Sequence, residues 1–175
     1  MFQKFVVLDR DGTVIEYVPY LTDVEMVKFK PDLVSALVKL SKSGFAFGIV
    51  TNQSVIGRGL AFKEDVDAIN EFVSDFLKHH NITISFFYVC PHVPEDDCKC
   101  RKPNTDLGLR AISDFGLSPS SSFIIGDQES DLLFGKNLGI TPIQIKGIAE
   151  KSCTAEYYAQ SLSDAADWIL EGTRG

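Results

Sequence analysis

Three cysteines and one histidine are crowded into a short polar stretch of the chain. Cys90, His92, Cys98 and Cys100 provide three thiolates and an imidazole, the ligand set of a closed structural zinc site. A disulfide would leave one of the three cysteines unpaired, and the prolines and acidic residues between them make the stretch too polar for a core. The spacing therefore predicts a structural Zn²⁺ site without an open coordination position, which would fix the loop that leads directly into Lys102.

A pair of aspartates follows the first apolar segment. Asp9 and Asp11 stand two residues apart in LDRDGT, a pattern that on its own is as often a structural turn as a site. The functional alternative makes Asp9 a nucleophile that forms an aspartyl-phosphate and Asp11 a general acid and base, with Gly12 allowing a sharp backbone turn. A third carboxylate, Asp127, would repel both unless a cation joined them, and oxygen ligands of this kind suit Mg²⁺.

Strands and helices that must position these residues alternate along the chain. Five apolar segments predict buried strands, over Phe5–Asp9, Phe45–Thr51, Ile84–Cys90, Ser122–Asp127 and Ile140–Ile145. Apolar residues at helical spacing predict helices over Pro31–Ser43, Phe62–His80, Thr105–Phe115, Glu129–Leu138 and Ser163–Leu170. This alternation predicts an α/β fold, a Rossmann-like three-layer αβα arrangement with a mainly parallel central sheet.

The chemically active residues fall at the ends of these predicted strands. The first strand ends at Asp9, the second at Thr51 and Asn52, the third at Cys90 and the fourth at Asp127. Because parallel strands end at the same edge of a sheet, and ligands of open α/β sheets bind beyond that edge, we expect these side chains to share one site.

Length and charge narrow the class of protein. The chain has 175 residues, 45% of them hydrophobic, so we expect a single domain over residues 1–175, with residues 90–100 inserted after the third strand. A net charge of −7 argues against nucleic-acid or anionic-membrane partners. We see neither a signal peptide nor an apolar run long enough to span a bilayer, and therefore expect a cytoplasmic protein. Cys153 stands apart from the cluster, and we also expect a monomer.

Four ordered motifs resemble those of one known family. DRDGT, TNQS, KP and GDxxxD, between about Phe5 and Ile145, are similar to the four motifs of the haloacid dehalogenase (HAD) superfamily of phosphatases. The CxHx₅CxC loop that runs into RKP resembles the zinc-containing branch without a cap domain, which contains heptose bisphosphate phosphatases and histidinol-phosphate phosphatases. No segment of this chain is long enough to form a separate cap.

The resemblance assigns the proposed reaction to particular residues. It implies that Asp9 is the nucleophile and a Mg²⁺ ligand, that Asp11 is the acid and base and binds Mg²⁺ through its backbone carbonyl, and that Asp127 is the third ligand. Lys102 corresponds to the lysine that offsets the charge of Asp9 and the phosphoryl group. Asp131 would orient Lys102 or a metal-bound water.

Further positions are implied to bind the substrate. Thr51 and Asn52 match the second motif, which holds the phosphoryl oxygens, and Gln53 and Ser54 are expected to reach the substrate. Arg101 matches a phosphate contact beside Lys102. Gln128 occupies a position that is often lysine in the heptose enzymes, so the phosphate contact expected there is weaker.

The substrate is predicted less sharply than the reaction. Gly-Arg-Gly at residues 57–59 and the acidic and aromatic run after Tyr20 resemble the heptose branch, so we favour the 7-phosphate of D-glycero-D-manno-heptose 1,7-bisphosphate. The short insert between the zinc-ligand pairs resembles the histidinol-phosphate branch, which is the alternative. Glu16 is a candidate acceptor for a sugar hydroxyl, beside Tyr17. A receiver-like phosphoacceptor domain is an alternative of another class, but receivers lack an acid and base at the position of Asp11.

Overall fold

Six parallel strands form one sheet in the computed structural model, which describes residues 3–173. The strands are β1 (Phe5–Leu8), β2 (Ala46–Asn52), β3 (Ile84–Cys90), β4 (Phe123–Gly126), β5 (Thr141–Ile145) and β6 (Tyr157–Ala159). Their spatial order is β3-β2-β1-β4-β5-β6, and every pairing is parallel. The predicted α/β sheet is confirmed, and within the described residues it is parallel throughout.

Helices cover both faces of this sheet. They are α1 (Leu33–Lys42), α2 (Ser54–Gly57), α3 (Lys63–His79), α4 (Asp106–Phe115), α5 (Glu129–Leu138) and α6 (Leu162–Gly172). Buried residues of α1, α3 and α6 belong to one apolar cluster, and those of α4 and α5 belong to a second. The two clusters are separated by the sheet, which gives the three-layer arrangement that the sequence predicts.

Strand β1 shows how the sequence specifies this layering. Val6 and Leu8 pack into the first cluster, whereas Phe5 and Val7 pack into the second. Successive side chains of a strand point to opposite faces, so a strand that is apolar at every position suits a sheet covered on both sides. Because β1 pairs with both β2 and β4, Asp9 leaves the sheet at its centre.

Two elements differ from the sequence prediction. Strand β6 is three residues long at the sheet edge, too short for a periodic signal. Helix α2 is one turn, although Gly57 argues against a helix there. A Cβ on Gly57 would lie 2.8 Å from the carbonyl oxygen of Pro91. The glycine therefore leaves room for residues 90–100, which we call the Cys/His loop. The other predicted elements are confirmed to within two residues at each end.

No helix within residues 3–173 has the length and apolar character that crossing a bilayer requires.

Candidate active site

The ammonium group of Lys102 lies between the carboxylates of Asp9 and Asp131, at the edge of the sheet where the parallel strands end. Its Nζ is 2.9 Å from Asp9 Oδ1 and 2.6 Å from Asp131 Oδ1, and it donates to the carbonyl oxygen of Val50 at 2.6 Å. Only 3% of Lys102 is exposed, and Asp9 and Asp131 are buried as well. The contact with Asp131 matches the orienting role that the sequence resemblance implies.

Burial sets the protonation of this group of charges. Burial and the nearby Asp131 together raise the pKa of Asp9 to about 8, against the opposing effect of Lys102. For Lys102, burial lowers the pKa, but the carboxylates of Asp131 and Asp9 together raise it above its ordinary value. One ammonium therefore stays charged, while the carboxylates crowded around it need additional positive charge to ionise together.

Asp127 lies beside Asp9 and Asp131, and the three carboxylates together form a candidate site for a cation that would supply this charge. Oxygen atoms of Asp9, Asp127 and Asp131 lie within 4.8 Å of one another, a grouping typical of metal sites. Burial raises the pKa of Asp127, and its Oδ1 is one of two fully buried side-chain atoms within residues 3–173 that lack a hydrogen-bond partner. An unsatisfied buried carboxylate oxygen beside other oxygen ligands fits a Mg²⁺ ion, for which these residues are the expected type of ligand.

Gly12 is required for this arrangement. Its φ of +81° is a left-handed conformation, and a Cβ at this position would lie 2.5 Å from Asp127 Oδ2. The sharp turn expected after Asp11 is therefore present, and it brings the loop after β1 against the loop after β4. The carboxylate of Asp11 is not part of the Asp9–Asp127–Asp131 group, as expected if only its backbone carbonyl faces a metal.

Asp11 instead faces the second motif across the same cavity. Its Oδ2 accepts a hydrogen bond of 2.6 Å from Gln53 Nε2, which also donates to Thr51 Oγ1 at 2.8 Å. Gln53 is nearly fully buried and lines the cavity, whereas Thr51 lies buried behind it. Ser54 lines the cavity at the start of α2. The structure thus brings the predicted residues of the first two motifs together.

Asn52 is occupied by a structural contact. Its Nδ2 donates to the carbonyl oxygen of Lys102 at 3.1 Å, and its Oδ1 accepts from the Lys102 amide at 3.0 Å. Asn52 also lines the cavity, but this reciprocal pair shows that its amide braces the backbone that carries the central ammonium. The third and second motifs are therefore held in register by two hydrogen bonds.

Four ligand atoms form a compact group in the predicted zinc loop. The Sγ atoms of Cys90, Cys98 and Cys100 and the Nδ1 of His92 lie within 4.8 Å of one another, with measured pairs between 3.0 and 3.6 Å. Tetrahedral Zn–S bonds of about 2.3 Å imply sulfur separations of about 3.8 Å, close to these distances. All four cysteines are free, and Cys153 lies outside the group. The donor set and its spacing fit a tetrahedral Zn²⁺ ion.

The Cys/His loop also contacts the rim directly. Arg101 Nη1 donates to the carbonyl oxygen of His92 at 3.1 Å, which fixes the guanidinium beside the cavity that it lines. The backbone N–H of Gln53 donates to the carbonyl oxygen of Cys90 at 2.7 Å, and the backbone N–H of Gly57 donates to that of Pro91 at 2.9 Å. A metal that holds this loop would therefore hold Arg101 and helix α2 as well.

These residues surround a cavity of about 540 Å³ at the carboxyl ends of the strands. This volume is typical of small-molecule sites. The predicted residues in its wall are Asp9, Asp11, Asn52, Gln53, Ser54, Arg101, Lys102, Asp127 and Gln128. Gln128 donates to Asp127 Oδ2 at 3.0 Å. The predicted site is thus one cleft built from four separate loops.

Two residues of the cavity wall, Arg58 and Ile148, had no predicted role. Arg58 adds a cation to the wall, and Ile148 lines it as an exposed apolar side chain, together with Tyr17 and Tyr20 from the segment considered for substrate specificity. The Gly-Arg-Gly segment was a signal for Arg58, but Ile148 follows β5 without any motif. Glu16 pairs with Lys30 at 3.1 Å and is not among the residues that line the cavity.

Comparison with known proteins assigns a family to this architecture. A HAD-hydrolase-like family model matches residues 99–167. A probable D-glycero-D-manno-heptose-1,7-bisphosphate 7-phosphatase from Thermoplasma volcanium is 40% identical over 125 residues, which cover 71% of this chain and 86% of that protein.

A second type of relative is larger. The histidine biosynthesis bifunctional protein HisB from Legionella pneumophila is 33% identical over 94% of this chain, but the match covers only 46% of that protein.

Among solved structures, D,D-heptose 1,7-bisphosphate phosphatase from B. bronchiseptica, complexed with magnesium and phosphate, superposes with a TM-score of 0.87. At 22% identity over 97% of this chain and 99% of that one, this likeness establishes the fold.

Proposed function

The chain belongs to the haloacid dehalogenase-like family and is a phosphatase, and from that premise we propose that it removes the 7-phosphate of D-glycero-D-manno-heptose 1,7-bisphosphate in a Mg²⁺-dependent reaction. One observation carries the mechanism: Asp9 ends the central strand with its Oδ1 2.9 Å from Lys102 Nζ, in the wall of the cavity. A carboxylate nucleophile that attacks a phosphate needs this kind of compensating charge.

Asp9 forms the covalent intermediate in this proposal. One of its oxygens attacks phosphorus as the bond to the sugar oxygen breaks, which leaves an aspartyl-phosphate. Lys102 offsets negative charge on Asp9 and on the phosphoryl group, and Asp131 keeps the ammonium in place at 2.6 Å. Mg²⁺ held by Asp9, Asp127 and the backbone carbonyl of Asp11 would supply further positive charge at the phosphoryl oxygens.

Asp11 moves the proton in both halves of the reaction. As an acid it gives a proton to the departing sugar oxygen, and as a carboxylate it then takes one from the water that attacks the aspartyl-phosphate. Gln53 holds one of its oxygens at 2.6 Å, on the side of the cavity that Ser54 lines and where the phosphoryl group would bind, with Thr51 behind Gln53. The products are inorganic phosphate and a dephosphorylated sugar hydroxyl.

The two arginine side chains in the cavity wall support a substrate with two phosphate groups. Arg58 and Arg101 line the same cavity as Lys102, although only Lys102 contacts the nucleophile. A sugar bisphosphate places a second anionic group away from the reacting one, where a guanidinium binds it well. Ser54 and Gln128 add neutral hydrogen-bonding groups to the same wall.

In this proposal Cys90, His92, Cys98 and Cys100 would hold a Zn²⁺ ion in a structural role. Four protein ligands would leave such an ion no open position with which to activate water. Its effect on the substrate passes through Arg101, which is bonded to the carbonyl oxygen of His92.

Histidinol phosphate is the second candidate substrate, because the HisB relatives match more of this chain than the heptose enzyme does. The receiver-like alternative loses its support, since the Thermoplasma volcanium relative is named as a probable phosphatase. The test is phosphate release with Mg²⁺ from each anomer of heptose 1,7-bisphosphate and from histidinol phosphate. We expect kcat/KM to be at least about tenfold higher for one heptose anomer, in line with the discrimination that a pocket contact provides. A higher value for histidinol phosphate would overturn the substrate assignment and leave the phosphatase chemistry intact.

A further inference from the structure

Arg10 is the largest fully buried side chain within residues 3–173, and the mechanism above gives it no role. In the sequence it stands between Asp9, the proposed nucleophile, and Asp11, the proposed acid and base, and 0% of it is exposed to solvent. Burying a guanidinium is unfavourable unless its charge is paired and its N–H groups are hydrogen-bonded. The partners that satisfy Arg10 therefore identify what it is there to hold.

Most of these partners belong to one carboxylate. Arg10 Nε donates to Asp11 Oδ1 at 3.3 Å, and Nη2 contacts both Oδ1 and Oδ2 at 3.1 Å. A planar guanidinium that contacts both oxygens fixes the orientation of the carboxylate plane, which a point charge would not do. Gln53 contacts Oδ2 from the other side at 2.6 Å. Asp11 itself is 20% exposed towards the cavity, so it is held but accessible.

The remaining contact of Arg10 reaches a distant helix. Its Nη1 donates to Asn70 Oδ1 at 2.9 Å, and Asn70 is the polar member of the buried face of α3, next to Ile69 and Val73. A buried amide on an otherwise apolar helix face is unfavourable unless it is hydrogen-bonded. Asn70 Oδ1 occupies the one side of the guanidinium that Asp11 does not contact, so the two residues together determine where Arg10 lies.

We propose that Arg10 and Asn70 are positioning residues that orient Asp11 for proton transfer to the departing alcohol. This inference rests on the proposed phosphatase mechanism and adds to it a contact from helix α3, which otherwise lies away from the cavity. When the phosphorus–oxygen bond of the substrate breaks and the bond to Asp9 forms, the electron pair stays on the sugar oxygen. That oxygen takes the proton of Asp11, and the later attack of water returns a proton to Asp11.

The inference predicts a loss that depends on the leaving group. A sugar alkoxide must be protonated as it leaves, whereas nitrophenolate leaves without a proton. The value of kcat/KM covers substrate binding and the steps up to release of the alcohol, so it includes proton transfer to the alcohol and leaves out the later proton transfer from water. We expect Asn70→Leu to lower kcat/KM for the sugar phosphate about tenfold and for p-nitrophenyl phosphate less than about twofold, a part of the 10²–10⁴-fold that general acid catalysis contributes.

Arg10→Met is the stronger variant, with an expected loss of about 100-fold for the sugar phosphate and of only a few-fold for the aryl phosphate. Should its folding fail, Asn70→Leu decides alone, because a leucine fits the apolar face of α3. Glu71→Ala is the matched control: Glu71 is exposed, follows Asn70 on the same helix and makes no contact with Arg10 or Asp11. It should leave both substrates unchanged.

Three outcomes would overturn the inference. Equal losses for both substrates would show that the pair only supports the fold, and no loss for either would show that Asp11 is placed without it. A loss confined to the aryl phosphate would be the reverse of the expected result, because the leaving group of the aryl phosphate needs no proton. Failure of the proposed function is separate, because it would appear in the unmutated protein as absence of phosphate release from every monoester.

Discussion

Two clusters of candidate metal ligands lie at the same edge of the sheet, and they are built in opposite ways. The carboxylate cluster of Asp9, Asp127 and Asp131 joins residues from two distant parts of the chain and is buried, and two of its members contact the ammonium of Lys102. The thiolate and imidazole cluster lies entirely between Cys90 and Cys100, and most of it is partly exposed. The first exists only when the sheet has formed, whereas the second needs one loop.

The difference indicates separate tasks for the two clusters. Oxygen ligands crowded around the proposed nucleophile are suited to transient charge, and they keep a carboxylate whose pKa is raised to about 8 by burial. A closed set of four protein ligands fixes geometry and takes no part in bond breaking. The Cys/His loop therefore supports the position of Arg101 and α2, and the carboxylates lie where the proposed reaction would occur.

The largest effect is expected from Asp9→Asn, which leaves both clusters nearly intact in shape. Removing the nucleophile should reduce kcat by roughly 10⁴-fold or more, because no other carboxylate can replace it in line with the phosphate. Circular dichroism and Tm should show a folded protein with zinc content unchanged. Asp75→Asn, an exposed position on α3, is the control. Turnover by the Asp9 variant above that level would refute Asp9 as the nucleophile.

Lys102→Met should have the next largest effect. Removing the ammonium leaves Asp9 and Asp131 without their shared partner and should reduce kcat by about 10²–10³-fold, as for other groups that stabilise developing charge. Zinc content, measured by elemental analysis, should stay at that of the unmutated protein. Lys99→Met alters an exposed lysine three residues earlier and should change neither quantity. An equal loss in both lysine variants would contradict a specific role for Lys102.

Cys98→Ser tests the other cluster. Burial raises the pKa of Cys98, but hydrogen bonds with the Arg101 backbone N–H and with the Cys100 and Cys90 thiols outweigh it and lower the pKa to about 7, so this thiol is suited to bind zinc as a thiolate. We expect loss of zinc and a decrease in Tm of about 6–12 °C, which corresponds to about 3 kcal/mol for a domain of this size.

Activity should respond to Cys98→Ser mainly through binding. KM should rise several-fold as Arg101 loses its support, while kcat changes by less than about threefold, since Lys102 is held by Asn52. Cys153→Ser is the matched control, an exposed free cysteine outside the cluster. A decrease in kcat as large as that for Lys102→Met would show that the two clusters do not have separate tasks.

The last prediction concerns how stability depends on pH when no metal is bound. The pKa of Asp9 is raised from 3.8 to about 8 in the folded protein, so the folded protein keeps a proton that the unfolded chain loses. The stability from this group is fully present below pH 3.8 and is lost as the pH rises through about 8. The Tm of Asp9→Asn minus that of the unmutated protein should therefore increase between pH about 5 and about 8 when Mg²⁺ is chelated.

Magnesium should act in the opposite direction. Mg²⁺ binds the ionised carboxylates, so the increase in Tm on its addition should be greater at pH about 8 than at pH about 6. Zinc removal would alter the Tm of the unmutated protein and the Asp9 variant alike. A Tm difference between these two proteins that stays constant over this pH range would contradict the raised pKa of Asp9.

Much of the site was predictable because its signals are local. Cys90 to Cys100 has its ligands in one loop, and Asp9 and Asp127 each follow an apolar strand, so strand ends alone indicated that they meet. The contact of Asp131 with Lys102 followed from the motif order. In contrast, the sequence predicted no role for Arg10, between the two aspartates, or for Asn70, on the predicted helix Phe62–His80. Nothing in their spacing connects positions separated by 60 residues.

The sequence by itself determined the layered fold and indicated which strand-end aspartates and which Cys/His residues would lie together, because periodicity and strand-end chemistry depend on neighbouring residues. Only the tertiary structure decided that Asn52 braces Lys102, that Arg58 and Ile148 enter the cavity, and that a buried guanidinium joins Asp11 to α3. These contacts depend on how helices and loops pack across the sheet. A side chain's partner there is chosen by geometry that short-range patterns do not encode.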